Sequence, residues 1–164
     1  MTLAAARPDV RIVVLGDGPD AAALREQAER LGVAPYLSFS GTVPHERVSD
    51  WLAASDVVCL PSLREGNPNA VNEALASGRP VVASRVGSLP DLVSADRGLL
   101  VTPGVPSELA WGLLSALERS WDPSTIAAAP GRLTAWSAVA DRYLELFQGC
   151  VGKRTALAMP EPGG

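Results

Sequence analysis

Short apolar runs alternate with helical patterns along most of the chain. Five runs are rich in Val, Leu and Ile and are bounded by Gly, Pro or polar residues, a pattern that is typical of strands buried in a sheet. Their length, about five residues, is also that of ordinary strands. The predicted strands cover residues 10–15, 36–40, 56–60, 80–84 and 97–101.

The segments between these runs carry the apolar spacing of helices. Leu24, Ala28 and Leu31 recur at intervals of four and three, which places them on one face of a helix. Another helix is predicted to begin near Pro68 and to end at Gly78, because Pro suits the first helical position and Gly the position after the last. The remaining predicted helices cover residues 20–31, 45–54, 106–120 and 133–148, with a short one ending at Val93.

Strands that alternate with helices indicate an α/β protein. Helical crossovers connect parallel strands and cover both faces of the sheet. We therefore expect one Rossmann-like domain at residues 10–150, a three-layer sandwich with a mostly parallel sheet of about five strands, between disordered segments at residues 1–9 and 151–164. Ligands of such sheets bind outside the carboxyl ends of the strands. The loops that leave those ends, and that can line one cleft, begin at Gly16, Gly41, Pro61 and Gly87.

Composition and charge narrow the class of protein. The 164 residues carry a net charge of −4, which favours neither nucleic acid nor an anionic membrane as a partner. No apolar run reaches the ~20 residues of a transmembrane segment, and the N-terminus lacks the pattern of a signal peptide, so we expect a cytoplasmic protein. The single His, and two cysteines as far apart as Cys59 and Cys150, predict neither a zinc site nor a disulfide framework.

The most informative stretch joins a polar loop to the helix that begins near Pro68. The first turn of a helix has free N–H groups and a partial positive charge, which together form a seat for a phosphate or another anion. Asn67 is predicted to cap this helix, and Gly66 lets a ligand approach the backbone closely. Glu65 and Glu73 stand on either side of the helix start. The stretch therefore predicts an anion site flanked by two carboxylates.

This stretch resembles the donor-binding signature of family-4 retaining glycosyltransferases, which have the GT-B fold. The resemblance rests on the run Pro61-Ser62-Leu63-Arg64-Glu65-Gly66-Asn67-Pro68, on residues 73–83 and on Gly87. Two acids eight residues apart, a helix start, a Gly-x-Pro-Val-Val strand entry and a glycine loop occur in the family's order. The resemblance covers roughly residues 10–148, and it implies the C-terminal, donor-binding half of a GT-B glycosyltransferase.

The resemblance also implies a role for each residue around the helix start. Backbone groups at Asn67 and Asn69 would hold the phosphates of a nucleotide-diphosphate sugar, with Gly66 beside them. Glu65, which we take as the catalytic position, would accept hydrogen bonds from hydroxyls of the donor sugar, and Glu73 would bind the ribose diol. The expected duty of both acids is recognition rather than proton transfer. Neither a metal nor another cofactor is expected.

Three further positions follow from the resemblance. The backbone at Val43 would hold the nucleotide base, Gly16 belongs to a Gly-x-Gly-Pro turn after the first strand, and Gly87 belongs to a glycine loop after the fourth. Relatives have a second glycine and a Glu in that loop, where this chain has Ser88 and Asp91. Asp91 is interpreted first as a helix-start carboxylate and second as a ligand contact. The donor site is therefore expected to draw on four separate loops.

Several of these residues also have a plainer interpretation. From spacing alone, Glu65 could be a solvated loop acid and Glu73 a surface acid of its helix. His45 could serve as a catalytic base, although a solvated residue in the first turn of its helix is favoured. Relatives carry an Arg and a Lys upstream of the first strand that neutralise the diphosphate. The segment before Val10 is not expected to supply them, and Arg64 is the candidate substitute.

Three functional hypotheses follow. The leading one is a retaining glycosyltransferase domain that binds a nucleotide-diphosphate sugar and transfers its glycosyl group to an unknown acceptor. Its expected partner is a separate N-terminal acceptor-binding domain or subunit, so the chain alone is expected to be incomplete and inactive. The alternatives are a non-catalytic nucleotide-sugar-binding module and an inactive remnant.

Overall fold

The computed structural model describes residues 3–128 and 136–155. The chain divides into two compact units, Met1–Ala127 and Ala128–Gly164. In chain order the elements are α1 (Leu3–Ala6), β1 (Ile12–Leu15), α2 (Ala21–Arg30), a 3₁₀ turn (Ala34–Tyr36), β2 (Leu37–Gly41), α3 (His45–Ala54), β3 (Val58–Leu60), α4 (Asn69–Ala76), β4 (Val81–Ser84), α5 (Leu89–Leu92), β5 (Gly98–Val101), α6 (Pro106–Glu118), α7 (Pro123–Ala127) and α8 (Trp136–Thr155).

The paired strands are parallel, as the alternation of strands and helices predicts. β1 pairs with β2, and β4 lies between β3 and β5, where Val82 stands opposite Cys59 and Leu99. The α/β fold class and its five strands are therefore confirmed. Their hydrogen bonds form a two-stranded and a three-stranded sheet rather than the single sheet expected. Apolar patterning identifies strands with buried faces, but it does not specify which neighbours complete a ladder.

The buried core lies on both faces of β4, whose four residues are all buried. One cluster joins Val81 to Val71 and Leu75 of α4, and a second cluster joins Val82 to Ala116 of α6. Helices therefore cover the three-stranded sheet on both sides, in the three-layer arrangement expected. Burial of one such Val or Leu side chain stabilises the fold by about 1.5–3 kcal/mol.

Element boundaries agree with the sequence patterns to within a few residues. α3 spans His45–Ala54 as predicted, and Gly78 follows α4 with a φ of 68°, a left-handed conformation that suits glycine. Four of the five described strands are shorter than their predicted runs, and β3 begins only at Val58. The ends of an apolar run can be buried without taking part in a ladder, so hydrophobic patterning overestimates strand length.

Short helices form at two places where the sequence predicts none. α1 occupies part of the segment 1–9, for which disorder is expected; there the Arg7 N–H donates to the Leu3 carbonyl at 2.9 Å and the Arg7 side chain pairs with Asp9 at 2.8 Å. α1 also lies against α6. α7 buries Ile126 completely in the core. Helices of one turn are too short to show a periodicity, and tertiary contacts are needed to stabilise them.

α8, described by itself, is longer than predicted. It begins at Trp136 and continues to Thr155, into the segment 151–164 for which disorder is expected. Residues 133–135, where the predicted helix starts, and residues 156–164 lie outside the described residues.

The apolar stripe of α8 is exposed where its side chains are described. Tyr143, Leu144 and Phe147 are 57%, 56% and 61% exposed, and the rings of Tyr143 and Phe147 lie 6.1 Å apart between centroids. Over residues 3–128 and 136–155, no helix combines the length and the hydropathy needed to cross a membrane.

Candidate functional site

α4 begins one residue later than the sequence predicts. Pro68 is extended, with φ −75° and ψ 107°, and its carbonyl accepts hydrogen bonds from the N–H groups of Val71 and Asn72 at 3.1 and 3.3 Å. Pro68 is therefore the cap residue and Asn69 the first helical one. The predicted capping role of Asn67 is wrong, because its side-chain oxygen accepts a hydrogen bond from the Asn72 amide at 3.2 Å instead.

The start of α4 presents free N–H groups. Among the described residues, the backbone N–H groups of Asn67, Asn69 and Ala70 have no hydrogen-bond partner. All three residues are exposed, whereas Pro68 between them is buried and anchors the turn. Unpaired donors at the positive end of a helix dipole suit an anion. The predicted anion seat is therefore open to a ligand rather than covered by side chains.

The Glu65 carboxylate is held by its own loop. Glu65 is half-buried, and its Oε1 accepts a hydrogen bond from the Ser62 hydroxyl at 2.6 Å. A hydrogen bond to a charged oxygen at this length is among the stronger ones in proteins, so it orients the carboxylate. Ser62 is not among the predicted site residues, although a hydroxyl three residues before an acid in a loop is a common local partner.

The loop after β4 packs against Glu65 and Gly66. Gly87 has a φ of 54°, and a Cβ added to it would lie 1.9 Å from the carbonyl oxygen of Glu65. The Ser88 hydroxyl donates to the carbonyl oxygen of Gly66. Three predicted site residues, Glu65, Gly66 and Gly87, are thus brought into direct contact. Ser88, at the position where the family resemblance implies a second glycine, connects the two loops, a role that its position in the sequence does not reveal.

Glu73 lies in a cleft between α3 and α4. The cleft has a volume of about 380 Å³, and its walls include Glu73 of α4, Ser77 directly after α4, and His45 and Ser49 of α3. Glu73 is half-buried there, while His45 is an exposed residue in the first turn of α3, as the favoured interpretation predicts. Glu65 is not one of the lining residues of this cleft. The two acids of the signature therefore stand in different surroundings on the two sides of the α4 start.

The remaining two predicted positions follow β1 and β2. Gly16, with a φ of 121°, donates its N–H to the Gly41 carbonyl at 2.9 Å, which joins the turn after β1 to the end of β2. Val43 is half-buried in the loop that leads from β2 to α3. Both residues therefore lie at the carboxyl ends of parallel strands, the edge at which ligands of α/β sheets bind.

Two charged side chains in the segments of the candidate site, those of Arg64 and Asp91, are exposed. Arg64 has no ion pair with any other described residue, so its guanidinium is free to meet an anion. Asp91 is an exposed acid in the first turn of α5, which agrees with its interpretation as a helix-start carboxylate.

The fold defines the class of protein, a parallel α/β domain, and its candidate site lies at the carboxyl ends of the strands. A family model described as "Glycosyl transferases group 1" matches residues 1–119, and the chain belongs to this family. The D-inositol 3-phosphate glycosyltransferase 2 of Catenulispora acidiphila is 33% identical over 165 aligned positions, which include 94% of this chain. The chain spans only 39% of the length of that relative.

Solved structures, among them that of a galactosyltransferase, have the same fold. The apo form of the lipopolysaccharide outer core galactosyltransferase WaaB superimposes with a TM-score of 0.75 at 21% identity, over 85% of this chain and 41% of that one. Anabaena Alr3699/HepE in complex with UDP superimposes with a TM-score of 0.66 at 27% identity, over 92% of this chain and 42% of that one. The resemblance to one half of a GT-B glycosyltransferase is therefore confirmed.

Proposed function

We propose that this chain binds a nucleoside-diphosphate sugar and forms the donor half of a retaining, metal-independent glycosyltransferase. One observation carries the proposal: free N–H groups at the start of α4 stand next to a carboxylate that its loop holds in place. Membership of the glycosyltransferase family supports the reaction class. The UDP bound to the related HepE supports a nucleotide as ligand.

The diphosphate of the donor binds at the start of α4. Transfer of the sugar leaves negative charge on the diphosphate, and the unpaired N–H groups of Asn67, Asn69 and Ala70 stabilise that charge. In enzymes, loss of one such preorganised donor typically lowers the rate by about 10²–10³. Arg64 adds a mobile positive charge beside these donors. This set of groups performs the neutralisation that a metal ion performs in other phosphate sites.

The two acids recognise opposite ends of the donor. Glu65 accepts hydrogen bonds from sugar hydroxyls through the oxygen that Ser62 leaves free, and Gly87 keeps its backbone in place. Glu73 accepts hydrogen bonds from the ribose diol in the cleft between α3 and α4. The base then lies toward Val43, two residues before the start of α3. The donor therefore extends across the carboxyl edge of both sheets.

The acceptor binds outside this chain. Because the chain corresponds to 39% of the length of its Catenulispora relative, we propose that another domain or subunit holds the acceptor in line with the donor sugar. The chain alone would then bind the donor without transferring it.

Calorimetry with UDP, GDP, ADP and UDP-glucose tests the donor site. Glu73→Ala should weaken the binding of both UDP and UDP-glucose, by about 10–100-fold, because hydrogen bonds to a charged group contribute about 1.5–3 kcal/mol. Glu65→Ala should leave UDP binding unchanged and weaken UDP-glucose, since its contacts are with the sugar. Glu29→Ala, an exposed acid of α2, is the control. The role assignment is refuted if both variants affect UDP equally.

Absence of heat with every nucleotide and nucleotide sugar would reject the donor site altogether. If the wild-type chain binds a donor, mixing it with the acceptor-binding half of a close relative and following sugar transfer separates an enzyme from a binding module. Transfer that requires this chain supports the glycosyltransferase. Binding without transfer makes the chain a nucleotide-sugar-binding module.

A further inference from the structure

A second cavity lies at the amino ends of the strands of the three-stranded sheet, opposite the ends that carry the candidate donor site. It is formed where the chain enters β3 and β4 and where α6 ends, and its volume is about 200 Å³. The charged and aromatic side chains in its wall are Asp56, Arg79, Arg119 and Trp121. The donor site takes its residues from the carboxyl ends of the strands, so this cavity shares none of them.

Arg119 is an exposed residue in the wall of this cavity. The guanidinium stacks over the Trp121 ring at 4.1 Å from the centroid, and the indole N–H is fixed by the Ala116 carbonyl at 2.8 Å. Among the described residues, Arg119 has no hydrogen bond and no ion pair. A stacked guanidinium keeps its N–H groups free in the plane of the group, where they can bind two oxygens of one anion. Trp121 therefore preorganises Arg119 for anion binding.

Arg79 is the second arginine in the wall of this cavity. One of its terminal nitrogens, Nη2, donates to the Ala53 carbonyl at the end of α3, at 2.5 Å. Its Nε is buried and has no partner among the described residues. The Ala53 contact fixes the direction of the side chain without using all of its donors. Both arginines thus line the same small cavity, and each keeps donors that have no partner among the described residues.

The charge of the cavity favours an anion. Arg79 and Arg119 contribute two positive charges and Asp56 one negative charge, so the wall is cationic within a protein of net charge −4. Paired guanidiniums bind phosphate oxygens with good geometry because their N–H groups are planar and forked. We propose that this cavity is a binding site for a phosphate dianion, either inorganic phosphate or a phosphate monoester, with Arg119 and Arg79 as its donors.

The test is a titration of the full chain with phosphate compounds at constant ionic strength, monitored by NMR. Orthophosphate and glycerol phosphate are added separately to distinguish the free anion from a monoester. Saturable shifts of the Trp121 indole and Arg119 Nε signals are expected with at least one of them. Signals of Gly66, Asn67 and Asn69 report any phosphate at the donor site, so success or failure at one site is read independently of the other.

Variants of three charged residues decide the assignment. Arg119→Gln should weaken phosphate binding at this site at least tenfold. Arg25→Gln is the matched control, because Arg25 also stacks on an aromatic ring, that of Phe39 at 4.9 Å, but lies outside the cavity. Asp56→Asn should tighten phosphate binding about threefold, because it removes a negative charge that repels the anion. Circular dichroism of each variant checks that the fold is retained.

Three results would overturn the proposal. The first is a linear, non-saturating response of the Trp121 and Arg119 signals to both anions. The second is saturable binding seen only at residues 66–69. The third is an equal loss of binding in Arg119→Gln and Arg25→Gln, which would indicate a general effect of net charge rather than a site.

Discussion

Gly87 is the residue on which the geometry of the candidate donor site depends most directly. It has a φ of 54°, and a Cβ at this position would lie 1.9 Å from the Glu65 carbonyl oxygen and 2.8 Å from the Glu65 carbonyl carbon. Both atoms are backbone, so no side-chain rotation can relieve the contact. Gly87→Ala therefore forces the loop that carries Glu65 away from the loop after β4.

The expected cost has two parts. A left-handed conformation costs a non-glycine residue about 1–2 kcal/mol. The contact with Glu65 is more than 1 Å shorter than any that real Cβ atoms adopt, and overpacking of this kind costs about 1–3 kcal/mol when the surroundings must shift. Gly87→Ala should therefore lower the free energy of unfolding by about 2–5 kcal/mol. It should also weaken UDP-glucose more than UDP, because the displaced backbone is that of Glu65.

Urea unfolding of three proteins separates the two parts. Gly32 has a φ of 67° and would meet no atom within 4 Å, so Gly32→Ala carries the conformational cost without the contact. The wild type and both variants are unfolded under the same conditions, and the difference between the variants measures the contact with Glu65. If Gly87→Ala loses no more stability than Gly32→Ala, the close packing of these loops is refuted.

Two further predictions concern the fold. Ile126→Ala should lower the free energy of unfolding by about 2–5 kcal/mol, because Ile126 is fully buried. Leu31→Ala, the control at a side chain that is 66% exposed, should change it by less than about 0.5 kcal/mol. Equal losses of stability in urea unfolding would contradict the burial of Ile126 in α7. The pKa of Glu108 is lowered chiefly by the backbone N–H of Thr102, and the pKa of Asp122 chiefly by the Thr125 hydroxyl. The stability that these two carboxylates contribute is therefore present above the ordinary carboxyl pKa. It is lost as the pH falls through their lower pKa values in the folded state. A Glu108→Gln, Asp122→Asn double variant should lose less stability than the wild type between about pH 5 and pH 2, and an unchanged pH dependence of thermal unfolding would contradict this.

The order of strands and helices and the approximate start of α4 could be read from the sequence because they depend on local properties. The run Pro80-Val81-Val82-Ala83 predicts the fully buried strand β4, and Gly78 predicts the end of α4. The signature from Pro61 to Pro68 led to the glycosyltransferase family, which the comparisons show. Even here the cap was misassigned by one residue, because the side-chain contact between Asn67 and Asn72 competes with capping.

The determinants of the site geometry lie between segments that are distant in sequence. The Ser88 hydroxyl reaches the Gly66 carbonyl across 22 residues, and no spacing rule connects these two positions. The cleft around Glu73 needs α3 as its second wall, and the arginine cavity needs the end of α6. Such contacts depend on how the helices pack onto the sheet, and this packing is not encoded in any single window of sequence.

What the sequence determined by itself was the local part of this protein: alternating strands and helices, the glycines that end or permit turns, and a signature that identifies the family. These follow from hydrophobic periodicity and backbone conformational preference, which act over a few residues. Only the tertiary structure decided that the strands form two sheets, that α1 and α7 exist, and that Ser62, Gly87 and Ser88 hold the loops around Glu65. These features depend on contacts between residues far apart in the chain, which only the folded backbone brings together.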